Sequence, residues 1–200
     1  MGPGPNFFSG SSDNVQVDGT GRLHLRITRR AGLWRCAEVI LDQGLGFGKY
    51  IFYLDGRPDL LDRNVVLGLF TWDDDAPPYY REIDVEVSRW GDALNDNTQF
   101  VVQPWDVSGN IHRFNSVLTA EAMTCSFTWT AAKISFECLQ GHAAVPPGDG
   151  IIDTWDYTDT TYIPSEGNER VHINLWLCDT APSDGLEAEV VIEGFEFIPM

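Results

Sequence analysis

Short segments of alternating apolar and polar residues recur along this chain, each cut off by Gly, Pro, Asn or Asp, and no other feature constrains its fold as much. Successive side chains of a strand point to opposite faces, so a period of two marks a strand with one buried face. Residues 22–28 have this pattern, with Leu23, Leu25 and Ile27 in one phase. Further strands are predicted at 34–41, 47–54, 65–72, 82–87, 98–103, 125–130, 133–138, 171–177 and 187–198. No long window carries apolar residues at helical spacing. Many short strands with turn signals between them predict an all-β sandwich or jelly roll. With no repeat, low-complexity tract or linker, residues 1–200 are expected to form a single domain. Residues 73–80, with three aspartates and Pro77-Pro78, and residues 140–150, with Gly and Pro, are predicted to be surface loops.

Thirty acidic and 13 basic side chains give a formal charge of −17. That balance argues against nucleic acid and against anionic membrane surfaces, and is compatible with a neutral polysaccharide. No apolar run approaches the length of a membrane span. No secretory signal follows Met1, an absence that leaves the compartment open. Cys36, Cys125, Cys138 and Cys178 form no C-x-x-C pair, which argues against a zinc ribbon or a thioredoxin-type motif. His24, His112, His142 and His172 stand singly and read as packing or surface residues. Gly44-Leu45-Gly46-Phe47-Gly48 lacks the strand–Gly–helix setting of a dinucleotide site and reads as a turn.

Residues 125–130 and 133–138 read as the arms of a hairpin with Ala131-Ala132 at its tip. Counting outward pairs Trp129 with Ile134, Phe127 with Phe136 and Cys125 with Cys138, which sets aromatic and aliphatic partners opposite one another. Directly opposed cysteines lie within reach of a disulfide. Two reduced, packed cysteines are the alternative. Ala-Ala is a poor two-residue turn, since the favoured types need positive φ.

The most informative stretch is Arg81-Glu82-Ile83-Asp84-Val85-Glu86-Val87. As a strand it puts Glu82, Asp84 and Glu86 on one face and Ile83, Val85 and Val87 on the other. The Cα atoms of Glu82 and Glu86 would then lie about 13 Å apart. Inward-leaning side chains and strand curvature can bring their carboxyls toward the roughly 5–5.5 Å of retaining glycosidases. Asp84 between them can hold one Glu protonated and the other ionised. The plainer reading is an amphipathic strand with one wet face. Residues 187–193, with Glu187, Glu189 and Glu193 in one phase, have the same look.

The stretch resembles the signature of glycoside hydrolase family 16, the lichenase, laminarinase and xyloglucan-transglycosylase group: Glu, aliphatic, Asp, aliphatic, Glu. Residues 34–39 resemble the family's early strand and 47–50 its aromatic–Gly turn. Residues 65–72 are similar to the strand before the motif, and Ile173-Asn174-Leu175-Trp176 to the late strand. The resemblance implies a concanavalin A-like β-jelly-roll of two antiparallel sheets with a glycan cleft on the concave face. It implies Glu82 as nucleophile, Asp84 as its electrostatic partner and Glu86 as acid/base. It implies no cofactor for the chemistry and a monomer acting on polysaccharide outside the cell. Many members carry a structural calcium on the convex face, so the resemblance allows one here, with its ligands unassigned. The motif has no residue inserted between Asp84 and Glu86, as in the lichenase and transglycosylase branches. Gln99-Phe100 matches the following strand, while Val101 and Val102 replace an Asn and a Tyr of lichenases.

Sugars stack on aromatic rings, so Trp72, Tyr80, Trp90, Trp105 and Trp176 are candidate cleft residues, and Trp34 and Trp129 are assigned to the core. Gln99 and Gln103 are candidate sugar contacts. Arg81 is expected either to meet a charged sugar or to neutralise a neighbouring acid. Two functions remain open: a retaining glycoside hydrolase, with transglycosylation as a variant, and a non-catalytic carbohydrate-binding jelly roll.

Overall fold

The computed structural model describes residues 3–143 and 150–200. Its strands are β1 (Val15–Val17), β2 (Leu23–Arg30), β3 (Leu33–Arg35), β4 (Ala37–Gly44), β5 (Gly48–Asp55), β6 (Val65–Trp72) and β7 (Ile83–Val87). They continue with β8 (Thr98–Val102), β9 (Ile111–Phe114), β10 (Ala122–Trp129), β11 (Ile134–Gln140), β12 (Ile151–Tyr157), β13 (Arg170–Leu177) and β14 (Ala188–Pro199). One 3-10 turn, Pro58–Leu60, interrupts the pattern. The larger sheet has the order β1-β2-β14-β5-β10-β11-β12, with β3 also on β2; the smaller has the order β4-β13-β6-β7-β8-β9. All their pairings are antiparallel. This is the expected jelly-roll sandwich.

Alternation explains how the layers meet. The smaller sheet turns Leu67, Leu69, Val85, Phe100 and Ile173 inward, and the larger turns Tyr50, Phe52, Phe127, Phe136 and Leu25 onto them. Tyr50 stacks on Phe127 at 4.6 Å and Phe136 on Phe100 at 4.9 Å. Each such fully buried side chain contributes about 1.5–3 kcal/mol relative to exposure. The β6 strand is buried from Val65 through Thr71 on both faces, so its outer side is covered as well.

The hairpin register is as counted: Trp129 faces Ile134, Phe127 faces Phe136, and Cys125 faces Cys138 across a disulfide with Cα atoms 4.2 Å apart. The Ala-Ala tip works without positive φ because Thr130 substitutes for turn chemistry. Its hydroxyl donates to the Lys133 carbonyl at 2.8 Å and accepts from the Lys133 and Ala132 amides.

The segment expected as one strand at 34–41 is two. Residues 33–35 pair with β2, and after Cys36 the chain crosses to the other sheet and pairs with β13. Strands β1, β9 and β12 carry no strong alternating signal and were not expected. Residues 73–80 form the predicted loop; of 140–150, residues 144–149 lie outside the described residues. Trp129 is fully buried as assigned, but Trp34 is only half-buried, with the Arg29 guanidinium 5.9 Å from its ring. Among the described residues no helix is long and apolar enough to cross a membrane.

Candidate active site

Glu82, Asp84 and Glu86 share the outer face of the smaller sheet. Asp84 lies opposite Phe70 and Val101, and Glu86 opposite Gly68 and Gln99. The register runs without a shift through β7 on both sides, so the strand has no bulge between Asp84 and Glu86. One level of the sheet reads Glu38, Asn174, Gly68, Glu86, Gln99, Arg113; the next reads Ile40, His172, Phe70, Asp84, Val101, Ile111. Gly68 is required where it stands, because a Cβ there would lie 2.5 Å from Asn174 Oδ1.

Glu82 itself precedes β7, and a strained loop aims it. Tyr80 and Arg81 both have φ near +53°, a region costing about 1–2 kcal/mol per non-glycine residue. Several contacts over-determine that conformation. The Asp73 amide donates to the Tyr80 carbonyl at 2.7 Å, and the Tyr80 ring stacks on Trp72 at 4.2 Å. Thr71 Oγ1 donates to the Arg81 carbonyl at 2.8 Å and accepts from the Ile83 amide at 3.2 Å. The Arg81 guanidinium donates to Asp73 Oδ2 at 2.5 Å and to the Ser165 carbonyl at 2.9 Å. It lies against Gly167, where a Cβ would come within 2.5 Å of it. Of the two roles expected for Arg81, then, the structure gives it the neutralising one, with Asp73 as the neighbour. These bonds use Nε and Nη1 and leave Nη2 for the other expected role, a sugar contact.

The three carboxyls perturb one another. Burial pushes Glu82 up to about 8; its hydrogen bond with Asp84 pulls the other way and the Glu86 charge adds to the rise. Burial, with the Glu82 and Glu86 charges, holds Asp84 well above the ordinary carboxylate range. Burial also raises Glu86, to about 7, against the Gln99 hydrogen bond and the Arg113 charge, which favour its anion. Groups this close titrate as a set. Asp84 is 2% exposed, and its burial beside the Glu82 and Glu86 charges favours its neutral form.

On the Glu86 side a relay fixes the geometry. Arg113 donates through Nε and Nη2 to Gln99 Oε1, at 2.9 and 2.5 Å, so the Gln99 amide nitrogen must face Glu86, where it donates at 2.5 Å. Gln103 donates to Asp84 Oδ2 at 3.4 Å and accepts from the Trp105 amide. Trp72 and Glu82 line the same cavity of about 340 Å³, and the Trp72 indole nitrogen donates to Asp74. Trp90 and Trp176 pack edge to face at 5.7 Å. Trp105 is 65% exposed on the loop after β8.

Sequence reasoning passed over His172, Asn174, Glu38 and Arg113. The available signal was phase: Val171, Ile173, Leu175 and Leu177 are core, so Arg170, His172, Asn174 and Trp176 share the opposite, site-bearing face. The look-alike acids at 187–193 sit on the larger sheet, where Glu187 binds Arg30 and Glu189 binds His24 and Arg26. Among the described residues no three His, Cys, Asp or Glu side chains converge to hold a metal ion.

No family model matches the chain, and no curated protein matches it. Solved structures do. The Bacillus licheniformis β-glucanase superposes with a TM-score of 0.69 at 18% identity, over 98% of this chain and 86% of that one. This chain has the β-glucanase fold. A lichenase from a mouse hindgut metagenome gives 0.70 at 17% identity, over 100% and 90%. A pseudo β-1,3-glucanase of Mycobacterium tuberculosis gives 0.72 at 18%, over 96% and 81%. Because that neighbour is named a pseudo-enzyme, the fold by itself does not assign an activity, and the carboxylates must carry the argument.

Proposed function

We propose that the protein is a retaining, endo-acting glycoside hydrolase that cleaves a β-linked glucan or related polysaccharide by double displacement. The observation that carries this reading is the intact trio: Asp84 and Glu86 on one face of the unbulged β7 and Glu82 just before it, all three raised by burial. In the first step the Glu82 carboxylate attacks the anomeric carbon while Glu86, protonated, gives its proton to the departing glycosidic oxygen. The product is a glycosyl ester on Glu82. In the second step Glu86 takes a proton from water, the oxygen attacks the anomeric carbon, and Glu82 leaves as carboxylate. A sugar hydroxyl in place of water gives transglycosylation by the same route. Asp84 donates a hydrogen bond to Glu82, holding that carboxylate in place and easing its departure.

Glycan seated over Glu86 removes water from it and favours its protonated form, while a hydrogen bond from Asp84 supports the anion of Glu82, the order that attack needs. The regular strand supports a lichenase-like rather than laminarinase-like branch. The Cys125–Cys138 disulfide supports an oxidising, extracellular setting. The intact trio of neighbouring acids favours the enzyme over a non-catalytic binding module. The test is hydrolysis of a panel of glucans, galactans and xyloglucan read by reducing ends. Turnover of at least one member, lost in Glu82→Gln and in Glu86→Gln, is expected. Turnover of none at any pH from 4 to 8 would leave the binding module as the better reading.

A further inference from the structure

The mechanism above leaves His172 unused, although it is buried and sits one strand from the trio's neighbour Phe70. Its Nδ1 lies 3.1 Å from Glu38 Oε1, and its ring centroid lies 5.0 Å from that of Phe70. Nε2 is buried and has no hydrogen-bond partner among the described residues. Buried polar atoms of native proteins are nearly always paired, so such an atom needs an explanation. The ring lines the cavity of about 340 Å³ that Glu82, Trp72 and Phe70 also line.

The tautomer follows from the partner. A carboxylate oxygen accepts, so His172 donates its Nδ1–H to Glu38, and in that tautomer Nε2 is the acceptor. That atom needs a donor. The cavity wall carries the acids Glu38, Asp74 and Glu82 against one guanidinium, Arg170, which is drawn to Asp74 at 3.5 Å. A negatively charged sugar meets net repulsion there, whereas an uncharged pyranose brings hydroxyl donors. We propose that His172 Nε2 accepts a hydroxyl proton from a neutral sugar unit bound beside Glu82, with Glu38 fixing the ring for that task. His172 is then a substrate-binding residue selecting uncharged sugars with a free hydroxyl at that position. This inference rests on the glycosidase reading and adds to it a recognition atom on the nucleophile side of the cleft.

The test uses the full chain carrying Glu86→Gln to prevent turnover, labelled with ¹⁵N-histidine, and β-1,3-1,4-linked glucan tetrasaccharide and laminaritetraose as probes. The expected result is Nδ1 protonated and Nε2 unprotonated in the free protein. A saccharide should then move the Nε2 resonance of His172 and leave His24 and His142 unmoved. In the otherwise unaltered protein, His172→Phe, which keeps an aromatic ring against Phe70, should raise KM about tenfold with kcat changed less than twofold, the signature of lost uniform binding. A protonated Nε2 in the free protein overturns the inference. So does glucan turnover, or saccharide binding seen by tryptophan fluorescence, with His172 Nε2 unmoved; in that case the glycosidase reading survives. Failure to bind or turn over any glycan overturns both.

Discussion

Replacing Arg81 by Ala separates two roles that a basic residue beside catalytic acids can have. Its guanidinium reaches Asp73, whose side chain is 3% exposed, at 2.5 Å and the Ser165 carbonyl at 2.9 Å. A hydrogen bond to a charged group contributes about 1.5–3 kcal/mol. Two of them set an upper range near 3–6 kcal/mol, reduced because Asp73 keeps the amide donors of Asp75 and Asn168 and is not orphaned. Arg81 is also 24% exposed, which weakens its share. The expected loss of stability is about 2–4 kcal/mol. The positive φ at positions 80 and 81 is no easier for Ala than for Arg, so the loop that aims Glu82 loses its anchor and keeps its strain. Urea unfolding should show a lower midpoint at constant slope, and kcat/KM should fall at least tenfold, mostly in kcat. Arg81→Lys should recover only part of both, because an ammonium lacks the second arm. An Arg81→Ala protein with its stability changed by less than about 0.5 kcal/mol and only KM raised would refute this reasoning and return Arg81 to sugar contact.

The raised carboxyls fix the sign of a pH effect. An acid whose folded pKa lies above its ordinary value binds protons more tightly in the native state, so its contribution is full below about 4.5 and is lost as pH rises toward about 8. Glu82→Gln should therefore raise Tm at pH 8 relative to the parent and leave it nearly unchanged at pH 4; a lower Tm at pH 8 would contradict the burial argument. Arg113→Met removes a charge that favours ionised Glu86, so the basic limb of kcat/KM should move to higher pH, and an unmoved limb would sink the relay through Gln99. Replacing both Cys125 and Cys138 by Ala, across a separation of 13 residues, should cost about 3 kcal/mol on the chain-entropy estimate, read by urea unfolding. A change below 1 kcal/mol would show that the bridge constrains little.

The alternating strands were legible because burial on one face writes a period of two into the sequence. Strand β6 was found to the residue, and the β10–β11 register followed from pairing like with like. What was missed has physical reasons. Strand β12 is an edge strand exposed along much of its length, so Asp153, Thr154 and Asp156 interrupt the apolar signal. Strand β3 and strand β4 read as one because the chain changes sheets at Cys36 without a turn residue to mark the crossing. The acids of the site were legible as a motif, but their supports were not. Arg113, Asn174 and His172 lie on other strands, and only the sheet register brings them to the levels of Glu86 and Asp84. The pairing of Arg81 with Asp73 and Ser165 was not legible, because these partners converge only through the loops.

The central claim is double displacement by Glu82 and Glu86, and the anomeric form of the first-formed product tests it most directly. Proton NMR during early turnover of the best glucan, recorded before mutarotation, should show the β-anomer at the new reducing end. That outcome follows from two inversions, one forming and one breaking the bond to Glu82. The α-anomer appearing first would mean a single displacement by water, and would contradict the assignment of Glu82 as nucleophile.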